Sequence, residues 1–344
     1  MVEGFGSQIK EPDMPAANVT DEEFIVAWER GQGSPIKVAA ILGIKERGVY
    51  SRRERLAQRG IVLKSIPSDG RPTKWTSDDT GRAYKRQIDL SIDTGTVLAF
   101  SDAHFWPNQK RTVANEALLL LIEEFKPRAI FANGDLFDGA RVSRHAPLGW
   151  AELPSVKEEL ETCQDRIDEI EQRLPKGCHK LWNVGNHDAR FDRALCVGAA
   201  EYDGVVQRLE EKFSRWDFTW STMINENVMI KHRYHNGIHA AYNNALKSGR
   251  SIVTGHLHRL AVTPWADYNG RRYGVDTGTL SNPHGPQFDY AENNPSPHTS
   301  GFAVLTFKDG LLLPPELVEV INGRAYFRGE CVFDGGVDDD DFGN

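Results

Sequence analysis

Between Thr96 and Val253 one pattern recurs five times: a short apolar run ends, and within a few residues the chain presents a carboxylate, an amide or an imidazole. Val97 to Phe100 leads to Asp102 and His104, Ala129 to Ala132 to Asp135 and Asp138, and Lys180 to Val184 to Asn186 and His187. Val228 to Lys231 leads to His232, and Ser251 to Val253 to His256 and His258. Such bounded apolar runs predict buried strands. The amphipathic stretches around Thr112 to Phe125, Glu152 to Arg173, Val205 to Phe213 and Ile238 to Lys247 predict helices between them. Strands alternating with helices specify a layered α/β fold, whose ligand sites gather beyond the carboxyl ends of the strands. Past Leu260 the chain turns to hairpin-like segments, among them Ala303 to Phe307, a Lys308-Asp309-Gly310 turn and Tyr326 to Arg328.

Asp-x-His and Gly-His-x-His each bring two side chains to one small volume. Carboxylates mixed with imidazoles suit borderline divalent ions, Mn²⁺, Zn²⁺ or Fe²⁺, better than Ca²⁺ or Mg²⁺. Seven such groups exceed one tetrahedral site. A pair of ions roughly 3.5 to 4 Å apart that share one carboxylate uses them all, and this is the arrangement that hydrolyses phosphate esters.

The ordered series Asp102-Ala103-His104, Gly134-Asp135-Leu136-Phe137-Asp138, Gly185-Asn186-His187-Asp188, His232 and Gly255-His256-Leu257-His258 resembles the motifs of calcineurin-like metallophosphoesterases over roughly Thr96 to Arg328. The resemblance implies a layered sandwich of β-sheets flanked by helices. It implies that Asp102, His104 and His258 hold one ion, that Asn186, His232 and His256 hold the other, and that Asp135 bridges them, with Mn²⁺ preferred and Zn²⁺ or Fe²⁺ as alternatives. His187 would serve the departing oxygen from outside the metal ligands, and Asp138 and Asp188 would orient their neighbours. The family usually shows His-Gly in the fourth motif where this chain has His232-Arg233-Tyr234-His235, so His235 is the alternative ligand. Otherwise His235 faces substrate, as do Arg190, Arg233 and His239. His145, His179 and His298 are expected to be structural. The Arg-Gly that follows the second motif of Ser/Thr protein phosphatases is absent, and Asp188 stands where those enzymes have Glu, so the chain is more similar to the nuclease and small-phosphodiesterase branches, phage-borne members included.

The front of the chain differs. Lys37 to Arg86 carries thirteen basic against five acidic residues, a net of +8, which leaves −16 for the rest of a chain totalling −8. A basic block before an acidic body points to a polyanion-binding module. Residues 1–20 are expected to be a flexible leader. Asp21 to Arg30, Lys37 to Leu42 and Lys45 to Gln58 predict three helices, the second ending at Gly43, in a pattern similar to a helix-turn-helix with Ile44, Val49 and Leu56 inward. An Asp69-Gly70 hairpin up to Trp75 would add a wing. Lys45, Arg47, Arg52, Arg53, Arg55, Arg71 and Lys74 are the candidate DNA contacts.

A small, mainly α, winged helix-turn-helix domain over 21–86, a catalytic domain over 87–333 and an acidic tail over 334–344 therefore predict a metal-dependent phosphodiesterase or nuclease acting on DNA. The alternatives are a phosphatase or cyclic-nucleotide phosphodiesterase whose front module serves assembly, and a regulator with an inactive core, which the full ligand set disfavours. No apolar run approaches the ~20 residues that span a bilayer. A cytoplasmic location is expected, with no membrane partner.

Overall fold

The computed structural model describes residues 19–31, 33–61, 63, 84–144, 152–291, 294 and 296–336. The expected leader, the wing with Arg71 and Lys74, His145 and most of the acidic tail lie outside them. The described residues form two compact units, one up to Leu63 and one from Tyr84.

The first unit is three helices, α1 (Asp21–Arg30), α2 (Pro35–Leu42) and α3 (Glu46–Gln58). Thr20 starts α1 with a reciprocal cap: its hydroxyl accepts from Glu23 N at 3.2 Å and its own N–H donates to the Glu23 carboxylate at 2.7 Å. Gly43, left-handed at φ 63°, ends α2. Phe24, Trp28, Val38, Val49 and Leu56 form the core, with Ile44 packed against it. Arg52 and Arg53, candidate DNA contacts, are half-buried. The Arg52 guanidinium hydrogen-bonds the Val19 carbonyl and lies 5.9 Å from the Phe24 ring centroid, and that of Arg53 lies 4.9 Å from the Trp28 ring centroid.

The second unit contains two sheets. The six-stranded sheet holds β1 (Ile88–Leu90), β6 (Thr222–Ile224), β7 (Val228–Ile230), β8 (Ser251–Thr254), β9 (Leu260–Asp267) and β10 (Gly270–Thr277), in the order β1-β6-β7-β8-β10-β9. The nine-stranded sheet holds β2 (Gly95–Phe100), β3 (Ala129–Ala132), β4 (His179–Asn183), β5 (Asp217–Thr219), β11 (Gly301–Lys308), β12 (Leu311–Leu312), β13 (Glu316–Ile321), β14 (Arg324–Phe327) and β15 (Glu330–Asp334). Its order is β15-β14-β13-β11-β2-β3-β4-β5, with β12 beside β11. β2, β3, β4 and β5 are mutually parallel, as are β7, β8 and β10, so each set aims its carboxyl ends one way.

Alternation on these strands builds the layers. Val97, Ala99, Ala129, Phe131, Leu181 and Leu305 join Ile230, Val253 and Val275 in the core between the sheets. Leu98, Phe100, Ile130, Trp182 and Val304 face the other way, onto Leu118 and Ile122 of α4 (Val113–Phe125) and Ile167 and Ile170 of α5 (Val156–Arg173). α8 (Ala240–Ser248) packs on β8, β9 and β10. Buried on both faces, each large side chain contributes about 1.5 to 3 kcal/mol.

Two helix expectations change. Val205 to Phe213 holds only the four-residue α7 (Leu209–Lys212), and an unexpected α6 (Asp188–Gly198) begins inside the third motif. Tyr84, assigned to the front module from sequence, belongs to the second unit, where it is 1% exposed and hydrogen-bonds Asp192. No described helix is long and apolar enough to cross a membrane.

Candidate metal centre

The five motif-bearing ends do not come from one sheet. β2, β3 and β4 of the larger sheet and β7 and β8 of the smaller one end at the same place. Backbone bonds join neighbouring ends: Asp102 N to Gly134 O at 2.9 Å, His104 N to Asp135 O at 3.0 Å, and Gly255 N to His232 O at 2.8 Å. Across the sheets His256 N donates to Asp102 Oδ2 at 2.9 Å. Asp102, His104, Asp135, His256 and His258 all adopt positive φ, from 40° to 75°. Left-handed backbone at non-glycine residues costs about 1 to 3 kcal/mol each and persists where the surroundings impose it.

Three sets of ligand atoms lie within 4.8 Å of one another: Asp102, His104 and His258; Asp135, His232 and His256; and His104, Asp135 and His187. Asp102 Oδ1 is 3.2 Å from His258 Nε2, and Asp135 Oδ2 is 3.0 Å from His232 Nε2 without the alignment of a hydrogen bond. Asp102 Oδ1, His104 Nε2, Asn186 Oδ1 and His232 Nε2 are buried and have no hydrogen-bond partner among the described residues. Leaving a buried polar atom unsatisfied costs about 1 to 3 kcal/mol. Three of these atoms, Asp102 Oδ1 and the two imidazole nitrogens, belong to residues of the ligand clusters and fit divalent cations.

The surrounding hydrogen bonds aim these atoms. His104 Nδ1 has Asp138 Oδ1 at 2.8 Å, and His232 Nδ1 has Asn133 O at 2.7 Å, so in each ring the Nε2 lone pair faces the cluster. Asp188 accepts from Asp135 N, Leu136 N, Phe137 N, Gly185 N and Trp182 Nε1, all between 2.9 and 3.2 Å. Its oxygens are thus committed to tying the second motif to the third. Burial alone would favour neutral forms, yet His258 and His232 hold the Asp102 carboxyl below its usual range, and Asp135 and Asp102 raise His232 to about 10. Burial and the His232 charge push His256 down to about 4. A cation held here would take the place of the His232 proton.

His187 Nδ1 lies 3.0 Å from Asp138 O and 3.1 Å from Asp138 Oδ1, while its Nε2 lies 3.1 Å from Arg190 Nη2 and 4.0 Å from Asp135 Oδ2. Burial favours the neutral ring, but Asp135 and Asp138 outweigh it and raise the His187 pKa above its ordinary value. Arg190 also donates to Asp138 O at 3.0 Å. Between the fourth-motif alternatives, His232 sits in a ligand cluster. His235 sits in none among the described residues and meets the Tyr234 ring edge to face, with centroids 4.3 Å apart. Arg233 and His239 are exposed.

Sequence reasoning missed Ser101 and Thr279, whose hydroxyls hydrogen-bond Asp102 Oδ2 and Asp102 O, and Phe288, whose ring lies 5.5 Å from His104 and 5.3 Å from His258. It also placed His298 among the structural histidines, whereas that ring contacts His258. The motif glycines could have been explained in advance by close approach. A Cβ on Gly134, at φ +90°, would lie 2.4 Å from His232 Nδ1, and one on Gly185 would lie 2.0 Å from Asp135 Oδ1. Gly185→Ala is therefore expected to push Asp135 aside by about an ångström and lower activity on the order of 100-fold, with reduced metal content by elemental analysis. Unchanged metal content and activity would contradict this packing.

The calcineurin-like phosphoesterase family model matches residues 95–287. The chain is similar to the gene 54 protein of Mycobacterium phage L5, 26% identical over 244 residues, covering 62% of this chain and 90% of that protein. It is also similar to the gene 54 protein of Mycobacterium phage D29, 27% identical over 237 residues with the same coverage. Among solved structures, wild-type Vps29 complexed with Zn²⁺ from Entamoeba histolytica is 13% identical, covers 69% of this chain and 99% of its own, and superposes with a TM-score of 0.37.

Proposed function

This chain belongs to the calcineurin-like phosphoesterases, whose model spans more than half of it, and from that premise we propose a two-metal phosphodiesterase that acts on DNA. The observation that carries the catalytic part is a pair of ligand clusters, Asp102 with His104 and His258 and Asp135 with His232 and His256, linked by a third in which Asp135 lies with His104. Asp102, His104 and His258 would hold one ion, Asn186, His232 and His256 the other, and Asp135 both. Bound there, two divalent ions, Mn²⁺ in our reading, would lower the pKa of a water and neutralise charge on the phosphoryl oxygens. The protein's own groups do the rest. Asp138 fixes the His104 and His187 rings through one oxygen. His187 faces the cluster beside Asp135 and donates to the departing oxygen. Arg190 is placed to exchange its contact with His187 for a phosphoryl oxygen.

DNA as substrate rests on the +8 block beside a body at −16. The three helices of the front unit, with Gly43 turning α2 into α3, fit a helix-turn-helix in which α3 meets the duplex. Lys45 and Arg55 are exposed on or beside α3, where they could meet phosphate. Arg52 and Arg53 are occupied on α1, and this favours the second reading, a phosphatase or small-phosphodiesterase with an assembly module.

Charge reversal separates the two. Full-length protein carrying Lys45→Glu and Arg55→Glu should hydrolyse a small chromogenic diester at the parental rate but cleave long DNA more slowly. The log-log salt slope of DNA binding should shrink by about 0.9 for each phosphate no longer neutralised. Equal DNA cleavage and equal slope would move the second reading ahead.

A further inference from the structure

The histidines of the cluster differ in what holds the ring nitrogen that faces away from it. His104 Nδ1 has the Asp138 carboxylate and His232 Nδ1 has the Asn133 carbonyl, and both partners can only accept. His258 has neither. Its Nε2 lies 3.2 Å from Asp102 Oδ1, and its Nδ1 lies 3.4 Å from His298 Nδ1, forty residues further along the chain.

We propose that His298 is the positioning residue of His258: the neutral His298 ring offers Nδ1 as an acceptor, which places the His258 proton on Nδ1 and leaves the Nε2 lone pair for the ion shared with Asp102 and His104. This rests on the two-ion assignment above. An imidazole can accept only through the nitrogen that lacks a proton, so the contact also fixes the tautomer of His298, with its proton on Nε2. The segment that carries His298 is held in place. Thr299 N donates to the His258 carbonyl at 2.7 Å, so the two rings are registered by the backbone beside them. Their centroids are 4.3 Å apart. Phe288, 5% exposed, lies against both rings with centroids at 5.3 and 5.1 Å. A partner that orients a metal-binding histidine changes affinity for the ion without touching it.

The test is metal binding by the full chain, with Mn²⁺ and, separately, Zn²⁺ titrated into metal-free protein and followed by calorimetry. His298→Phe keeps a ring against Phe288 and removes the acceptor, and His298→Asn restores an acceptor oxygen near the position of Nδ1. Wild-type protein should show two sites. His298→Phe should weaken one of them by about 10- to 100-fold and leave the other unchanged, while His298→Asn should stay near wild type. Circular dichroism and thermal unfolding of the metal-free forms check folding, with His298→Leu taking the place of the phenylalanine if that ring disturbs it. Two wild-type affinities in the variant without an acceptor, or an asparagine variant as weak as that variant, would overturn the positioning role. Fewer than two sites in the wild-type protein would instead remove the two-ion assignment, and the proposal with it.

Discussion

Asp135→Asn is expected to empty both metal positions and abolish hydrolysis, by far more than the about 10- to 100-fold that loss of a ligand's neighbour costs. The carboxylate is 2% exposed at its side chain and its two oxygens do different work. Oδ1 accepts from His187 N at 2.8 Å, and Oδ2 faces His232 Nε2 at 3.0 Å. An asparagine has nearly the same shape and can keep the first contact through its carbonyl, so the fold should survive. The second oxygen becomes an amide nitrogen, which cannot bind a cation and carries no charge to offset one. Asp135 belongs to the cluster of His232 and His256 and also lies in a cluster with His104, a ligand of the other position, so its loss should reach both, whereas His258→Ala should chiefly empty the position it shares with Asp102 and His104. Elemental analysis after dialysis reads both variants. Two ions retained in Asp135→Asn, or full activity of the parent enzyme in excess chelator, would refute the two-metal assignment.

The strands that carry this site were legible because each is a short apolar run that ends at a polar break, and the residues beyond the break follow the chain order of one family. What the sequence hid was their grouping. Nothing in Val228 to Ile230 or Ser251 to Thr254 says that they leave the sheet of β2, β3 and β4 for another, since both sheets are buried on the face they share and show the same composition. β1, β5 and β6 have three residues each, too few to display an alternation of period two. Val205 and Val206 suggested a helix, yet they are 78% and 40% exposed and belong to no apolar face.

Arg52 and Arg53 are only half-exposed, and their spacing explains it. They stand three and four residues after Val49 and four and three before Leu56, on the same stripe of α3 that faces the core. Their guanidinium groups lie over the Phe24 and Trp28 rings. His298 lies forty residues from the ring it meets, a separation that no motif spacing encodes.

His187→Ala should keep both ions and lose activity by about 10²- to 10⁴-fold, the range of general acid catalysis. Geometry admits a rival role, because His187 also shares a potential ligand cluster with His104 and Asp135. Three contacts favour the acid. Nδ1 is turned to Asp138, which already holds His104, so the two rings share one carboxylate and stand edge to face with centroids 4.6 Å apart. Nε2 is 4.0 Å from Asp135 Oδ2, farther than the 3.0 Å of His232, and faces Arg190 Nη2 instead. An arginine can only donate, so Nε2 accepts in that contact. It becomes a donor once Arg190 turns to the phosphoryl oxygens and Nε2 takes up a proton from water, a charge that the two carboxylates, Asp135 and Asp138, favour. The loss in His187→Ala should therefore grow as the leaving alcohol becomes less acidic and nearly vanish for an activated leaving group such as a nitrophenolate, which departs without a proton. Metal content equal to wild type together with that dependence on the leaving group fits the acid. Loss of an ion, or one uniform drop across all leaving groups, would make His187 a ligand or a binder of the phosphoryl group.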